Sequence, residues 1–149
     1  MPSYKKDAVL SALRSAHPYE EVAYFLSSLE NNQNNIGSGL IGLLANPMPI
    51  KECLDNIKSS MGLKYIRYTK ITGENIKKIA VCGGSGSFLL NDACKLGADI
   101  FISADFKYHD FFEADGRTTI VDIGHYESEV FTKQLVCDFL NEKFTYIAF

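Results

Sequence analysis

Asp122-Ile123-Gly124-His125-Tyr126-Glu127-Ser128-Glu129 marks a change of grammar in the chain: an apolar run stops, a glycine follows, and helical spacing begins. Residues 119–123 read as a strand and 126–144 as a long amphipathic helix, with Gly124 where the backbone must bend sharply between them. Upstream, residues 100–102 form another short apolar run that leads to Asp105, followed by a short helix over 106–114. A third run, 79–82, enters Gly83-Gly84-Ser85-Gly86-Ser87, read as a loop, and then a helix over 88–96 ended by Gly97. Strands alternating with helices imply a parallel sheet covered on both faces. The expected fold class is therefore α/β, a parallel-rich sheet with helices on both faces. In such sheets ligands bind beyond the carboxyl ends of the strands. Three polar groups converge there: Gly83 to Ser87, Asp105 with His109, and Gly124 to Glu129.

Before this core the spacing predicts a helix over 5–16, with Val9, Leu10 and Leu13 on one face and the His17-Pro18 step ending it. Residues 22–29 read as a strand. Residues 30–37, rich in Asn and Gln and closed by Gly37, read as a loop and as a domain boundary. A second strand covers 39–45, and Asn46-Pro47-Met48-Pro49 reads as a turn that presets a helix over 50–61 with Cys53, Leu54 and Ile57 inward. Gly62 ends that helix. An alternating strand over 65–71, a turn over 72–75 and a final apolar strand over 146–149 complete the reading.

Composition narrows the function class. With 149 residues the chain can bury a real core, and 46% hydrophobic against 22% charged residues is ordinary for a globular protein. A formal net charge of −3 argues against electrostatic binding to nucleic acid or anionic lipid. No apolar run approaches the ~20 residues of a membrane-crossing helix. The four cysteines, Cys53, Cys82, Cys94 and Cys137, are scattered through apolar segments without a CxxC pair, which fits buried reduced thiols in the cytoplasm.

His125 and Glu129 lie one helical turn apart, a spacing that lets an imidazole and a carboxylate hold one metal ion. At ~100° per residue Glu129 falls with Val136 and Leu140, whereas Glu127 falls with Gln134, Asp138 and Asn141 on the solvent side. An inward carboxylate needs a partner, either a metal or a nearby cation such as His125 itself. The Gly83–Ser87 segment either points backbone N–H groups at an anion or serves as a tight turn needing small residues. Asp105 and His109, four apart, could share a helix face, leaving His109 as a general acid–base group, a supporting group or a core histidine. His17 reads as a turn or subunit-contact residue.

These motifs occur in a familiar order. Ala80-Val81-Cys82-Gly83-Gly84-Ser85-Gly86-Ser87, Gly97-Ala98-Asp99-Ile100-Phe101-Ile102, Asp105-Phe106-Lys107-Tyr108-His109-Asp110 and the Asp122–Glu129 stretch together resemble the C-terminal half of the GTP cyclohydrolase I type 2 homologue (Nif-three-like) family. The segment His17-Pro18-Tyr19-Glu20-Glu21-Val22-Ala23-Tyr24 resembles the end of the PII-like, ferredoxin-like insert of longer members. The resemblance implies residues 1–35 as a piece of that insert and 36–149 as the C-terminal lobe of a metal-binding core. It also implies two divalent metal ions (zinc, iron, manganese or magnesium) between two lobes, with His125 and Glu129 as ligands. Further implications are homohexamer assembly and metal-dependent hydrolysis of an unassigned substrate, for which a small phosphorylated or nucleotide-like molecule is the candidate. The family's other ligands, an adjacent His-His pair and an aspartate, have no match here, and Ser103-Ala104-Asp105 stands where Thr-Gly-Asp is usual. The chain therefore reads as a fragment or truncated form of such a hydrolase, or alternatively as a non-catalytic oligomerisation module.

Overall fold

Three parallel strands form the centre of the sheet, and each owes its place to a two-residue alternation of apolar side chains. The computed structural model describes residues 1–30 and 36–147. The chain divides into two compact units, Met1–Asn35 and Ile36–Phe149.

In the first unit a short 3-10 turn leads into α1, Lys6–Ala16. His17 ends it in an extended conformation, as the following proline requires. Its Nδ1 accepts the Tyr19 backbone N–H at 3.2 Å, and the Arg14 guanidinium donates to the Tyr24 hydroxyl at 2.9 Å. The strand expected over 22–29 does not form: residues 22–30 are neither helix nor strand, and Phe25 is 97% exposed. A strand needs a neighbour to take its N–H and C=O groups, and no described residue offers one here. Of the expected boundary loop, residues 31–35 lie outside the described residues.

The second unit runs β1 (Leu40–Pro49), α2 (Ile50–Ser60), β2 (Arg67–Tyr68), β3 (Asn75–Ser85), α3 (Leu90–Lys95), β4 (Ile100–Ala104), α4 (Asp110–Glu113), β5 (Thr119–Asp122), α5 (His125–Glu129) and α6 (Thr132–Lys143). The five-stranded sheet has the order β1-β3-β4-β5-β2. β3, β4 and β5 are parallel, while β1 and β2 close the two edges antiparallel. Side chains alternate between the faces along the central strands. Ile100, Ile102, Val121 and Ile123 pack with Ile50, Cys53 and Leu54 of α2. Phe101 and Ile120 face the other way, with Ala80, Cys82, Phe106, and Leu90 and Ala93 of α3. Burying each such Ile, Leu or Phe contributes roughly 1.5–3 kcal/mol. The α/β class and the helices on both faces are thus as the alternation implies.

Several boundaries differ from the sequence reading. The expected turn over 46–49 belongs to β1: after an irregularity between Leu43 and Met48 the strand rejoins its partner, Met48 opposite Ile76 and Pro49 opposite Asn75. An edge strand tolerates those prolines, because its outer N–H groups need no partner. β3 is longer than the apolar run 79–82, since it pairs with β1 at its start and with Ala104 of β4 through Ser85 at its end. The Gly83–Ser87 loop therefore begins inside a strand. The strand expected over 65–71 shrinks to two paired residues, because β5 offers only four residues to pair against. The helix over 106–114 contracts to Asp110–Glu113, and Asp105, at φ +57, stands outside it, so Asp105 and His109 do not share a helix face. The long last helix is two helices, α5 and α6, separated at Val130 and Phe131. Of the expected final strand, Tyr146 and Ile147 lie in a turn and a bend, and Ala148 and Phe149 fall outside the described residues.

Candidate metal centre

β5 delivers the site. It is buried through Asp122, and Gly124 follows at φ +88, a conformation open to glycine and strained for residues with a side chain. Asp122 fixes this corner from below. It is 4% exposed, its carboxylate pairs with the Arg67 guanidinium, and its Oδ1 accepts the Gly124 N–H at 3.1 Å. The chain then starts α5 with His125 as its first residue.

Three strand ends meet around His125. Its Nδ1 lies 2.6 Å from Oδ2 of Asp105, just beyond β4, and its Nε2 lies 3.2 Å from Oε2 of Glu129 one turn along α5. Ser128 ties α5 to β3: its Oγ donates to the His125 carbonyl at 2.7 Å and accepts the Gly84 N–H at 2.8 Å. Fully buried Ser103 of β4 donates to the Gly84 carbonyl at 3.0 Å. Gly84 itself has φ +63, in the part of β3 where the register with β4 shifts. A Cβ there would collide with the Glu129 carboxylate.

The His125 pKa is raised above the ordinary imidazole value, chiefly by the hydrogen bond with Asp105; partial desolvation opposes the rise, and the charges of Glu129 and Asp105 add to it. With about half of each side chain open to solvent, the group is accessible to a ligand (His125 48%, Glu129 52%). Two donors on one metal at bond lengths near 2.1 Å and angles of 90–109° stand about 3.0–3.4 Å apart. The Nε2–Oε2 spacing of 3.2 Å fits that geometry. Among the described residues no group of three or more His, Cys, Asp or Glu side chains is arranged to hold a metal.

Of the residues singled out in the sequence, the structure brings His125, Glu129 and Gly84 together. Glu129 is not inward as the unbroken-helix phase implied, because the break after α5 uncouples it from Val136 and Leu140. His109 is exposed, with its ring edge-on to Tyr108 at 5.4 Å. Sequence reasoning missed Asp105 as the partner of His125, and also Ser103 and Ser128. The convergence of strand ends was the signal for Asp105; nothing local marked the two serines. All four cysteines are free, and burial pushes the Cys53 and Cys94 thiols up. No helix among the described residues is long and apolar enough to cross a membrane.

Comparison with known proteins adds a second line of argument. The model of the family described as Duf34/NIF3 (NGG1p interacting factor 3) matches residues 7–149. A Bacillus subtilis relative named GTP cyclohydrolase 1 type 2 homolog is 32% identical over 130 residues, which cover 87% of this chain and 35% of that protein. A Clostridium perfringens relative of the same name is 44% identical over 96 residues, 62% of this chain and 36% of its own. The crystal structure of a Bacillus cereus protein related to NIF3 aligns with a TM-score of 0.77 at 35% identity, over 97% of this chain and 40% of that one. The chain spans about a third of the length of the curated relatives it matches.

Proposed function

The chain belongs to the Duf34/NIF3 family, and on that premise we propose that it supplies two ligands, His125 and Glu129, to a divalent-metal centre that hydrolyses a small phosphorylated or nucleotide-like substrate. One observation carries the reading: Nε2 of His125 and Oε2 of Glu129 stand 3.2 Å apart on an exposed strand-end surface while Asp105 occupies the other ring nitrogen. Imidazole suits zinc and iron while a carboxylate also suits manganese and magnesium, so the donor pair does not choose among them. When bound, a divalent metal lowers the pKa of water and polarises the bond to be broken.

A metal takes four to six ligands, so two leave room for water, substrate and groups from outside these residues. Self-association or the remainder of a longer protein would supply those groups. Of the Gly83–Ser87 segment, Gly83 and Gly84 lie beside Glu129, and a substrate anion would lie against the segment there. His109 is the proposed proton carrier. The free cysteines fit a reducing, cytoplasmic setting.

Elemental analysis and zinc and manganese titrations of the purified chain, with its mass in solution, test the proposal. Stoichiometric metal that is lost in Glu129→Gln and in His125→Ala supports it. A well-folded oligomer that takes up no metal at any concentration sinks it in favour of a non-catalytic assembly module.

A further inference from the structure

Among the non-glycine described residues only Asp105 and Asp115 have positive φ. That conformation is strained for most side chains and least so for Asp, Asn and Gly. At Asp105 it has a visible consequence. β4 is buried from Ile100 to Ala104, and Asp105 is the first exposed residue beyond it. The left-handed turn there carries its carboxylate to the His125 ring, with Oδ2 2.6 Å from Nδ1.

A neutral imidazole carries one ring proton, and the nitrogen with the better acceptor keeps it. Nδ1 has the short contact, at 2.6 Å, while Nε2 is 3.2 Å from Glu129. With the proton on Nδ1, the Nε2 lone pair and the Glu129 carboxylate face the same point, an arrangement that suits a shared cation. With the proton on Nε2, the ring would donate to Glu129 and could not ligate from that edge. Asp105 lies at the other edge of the ring, so one metal cannot reach both Asp105 and Nε2.

We infer that Asp105 is a positioning residue: it holds His125 in the Nδ1–H form and so delivers the Nε2 lone pair to the point that Glu129 also faces. The inference rests on the reading of His125 and Glu129 as ligands. It adds a role for Asp105 that the one-turn spacing of those two does not assign.

The test uses the whole metal-free chain and long-range proton–nitrogen NMR of the His125 ring, in alkaline buffer where the ring carries one proton. The unsubstituted chain is expected to show Nδ1–H. Asp105→Gly relaxes the backbone and removes the carboxylate, so the proton is expected to move to Nε2. Asp105→Asn tolerates the same φ but is a weaker, neutral acceptor, and a mixture is expected. Zinc titration of the same samples should weaken by about 10–100-fold in Asp105→Gly, with the fold intact. An Nε2–H ring in the unsubstituted chain, or an Asp105→Gly ring identical to it, overturns the inference whatever zinc does. Failure of the unsubstituted chain to take up zinc sinks the ligand reading instead, and the ring proton then decides the role of Asp105 alone.

Discussion

Gly84 and Glu129 contend for the same space: a Cβ on Gly84 would fall on the Glu129 carboxylate and 3.3 Å from Cε1 of His125. The Glu129 carboxylate approaches β3 this closely because residue 84 has no side chain. Gly84→Ala should therefore act twice. Its φ of +63 strains an alanine by about 1–2 kcal/mol. The new methyl also displaces Glu129, so zinc affinity should fall about 10–100-fold. Gly42, with open space where a Cβ would stand, is the control: Gly42→Ala should stay within about 0.5 kcal/mol and bind zinc normally. Urea denaturation and zinc titration of both variants check this, and equal behaviour of the two would refute it.

The raised His125 pKa gives stability and metal binding opposite pH dependences. The folded value lies above the ordinary 6.5, chiefly through the Asp105 hydrogen bond. A raised pKa means that the protonated ring contributes stability fully below the unfolded value, and that this contribution is lost as pH rises through the folded value. The metal-free chain should therefore lose a small increment of stability from mildly acidic to alkaline buffer. Asp105→Asn should lose less. Zinc needs Nε2 unprotonated, so its affinity should rise over the same window. NMR titration of the His125 ring proton and denaturation midpoints at the two ends check the signs; a His125 titrating below 6.5 would contradict both.

What the sequence made legible follows from period. The alternation at Ile100, Phe101 and Ile102, and at Ile120, Val121 and Ile123, separates the two packed faces, and the structure places these residues on those faces. Glycine followed by His-x-x-x-Glu marked the strand-to-helix corner. Partnership across the sheet was not legible. β3 extends and β2 shortens because of what their neighbours offer, which no local pattern records. The Asp105–His125 pair was hidden for a related reason: spacing joined Asp105 to His109, but the left-handed backbone at 105 turns it towards the next strand end. The strand over 22–29 failed on the same ground, having the right composition and no partner.

Arg67 and Asp122 lock the edge strand to the site. Asp122 is buried, Arg67 is largely exposed, and the guanidinium also lies 5.7 Å from the Phe111 ring centroid. Removing the arginine leaves a buried carboxylate with the Gly124 N–H as its remaining described partner. Arg67→Ala should cost about 2–3 kcal/mol, less than a fully enclosed pair because solvent reaches the arginine side. Asp122→Asn keeps the shape and an acceptor for Gly124, and should cost about 1–2 kcal/mol. The order of the two urea midpoints is the measurement, and a more damaging Asp122→Asn would overturn this account.

Ser103 reaches the candidate metal centre through β3. Its hydroxyl is fully buried and donates to the Gly84 carbonyl at 3.0 Å; a Cβ on neighbouring Gly86 would collide with that same hydroxyl and crowd Cys82. Ser103→Ala removes the donor and leaves the Gly84 carbonyl without it, a loss of about 1 kcal/mol. For a chain of this size that lowers Tm by about 2–4 °C. Because Gly84 is the surface on which Glu129 rests, its release should also weaken zinc binding, by less than Gly84→Ala does, since no new atom intrudes. Ser103→Thr keeps the hydroxyl but adds a methyl to a site with no room for it, so it should lose more stability than Ser103→Ala while retaining the hydrogen bond. Calorimetry and zinc titration of the two variants separate the roles: if Ser103→Ala bound zinc with unchanged affinity, the link from β4 through Gly84 to Glu129 would be packing alone.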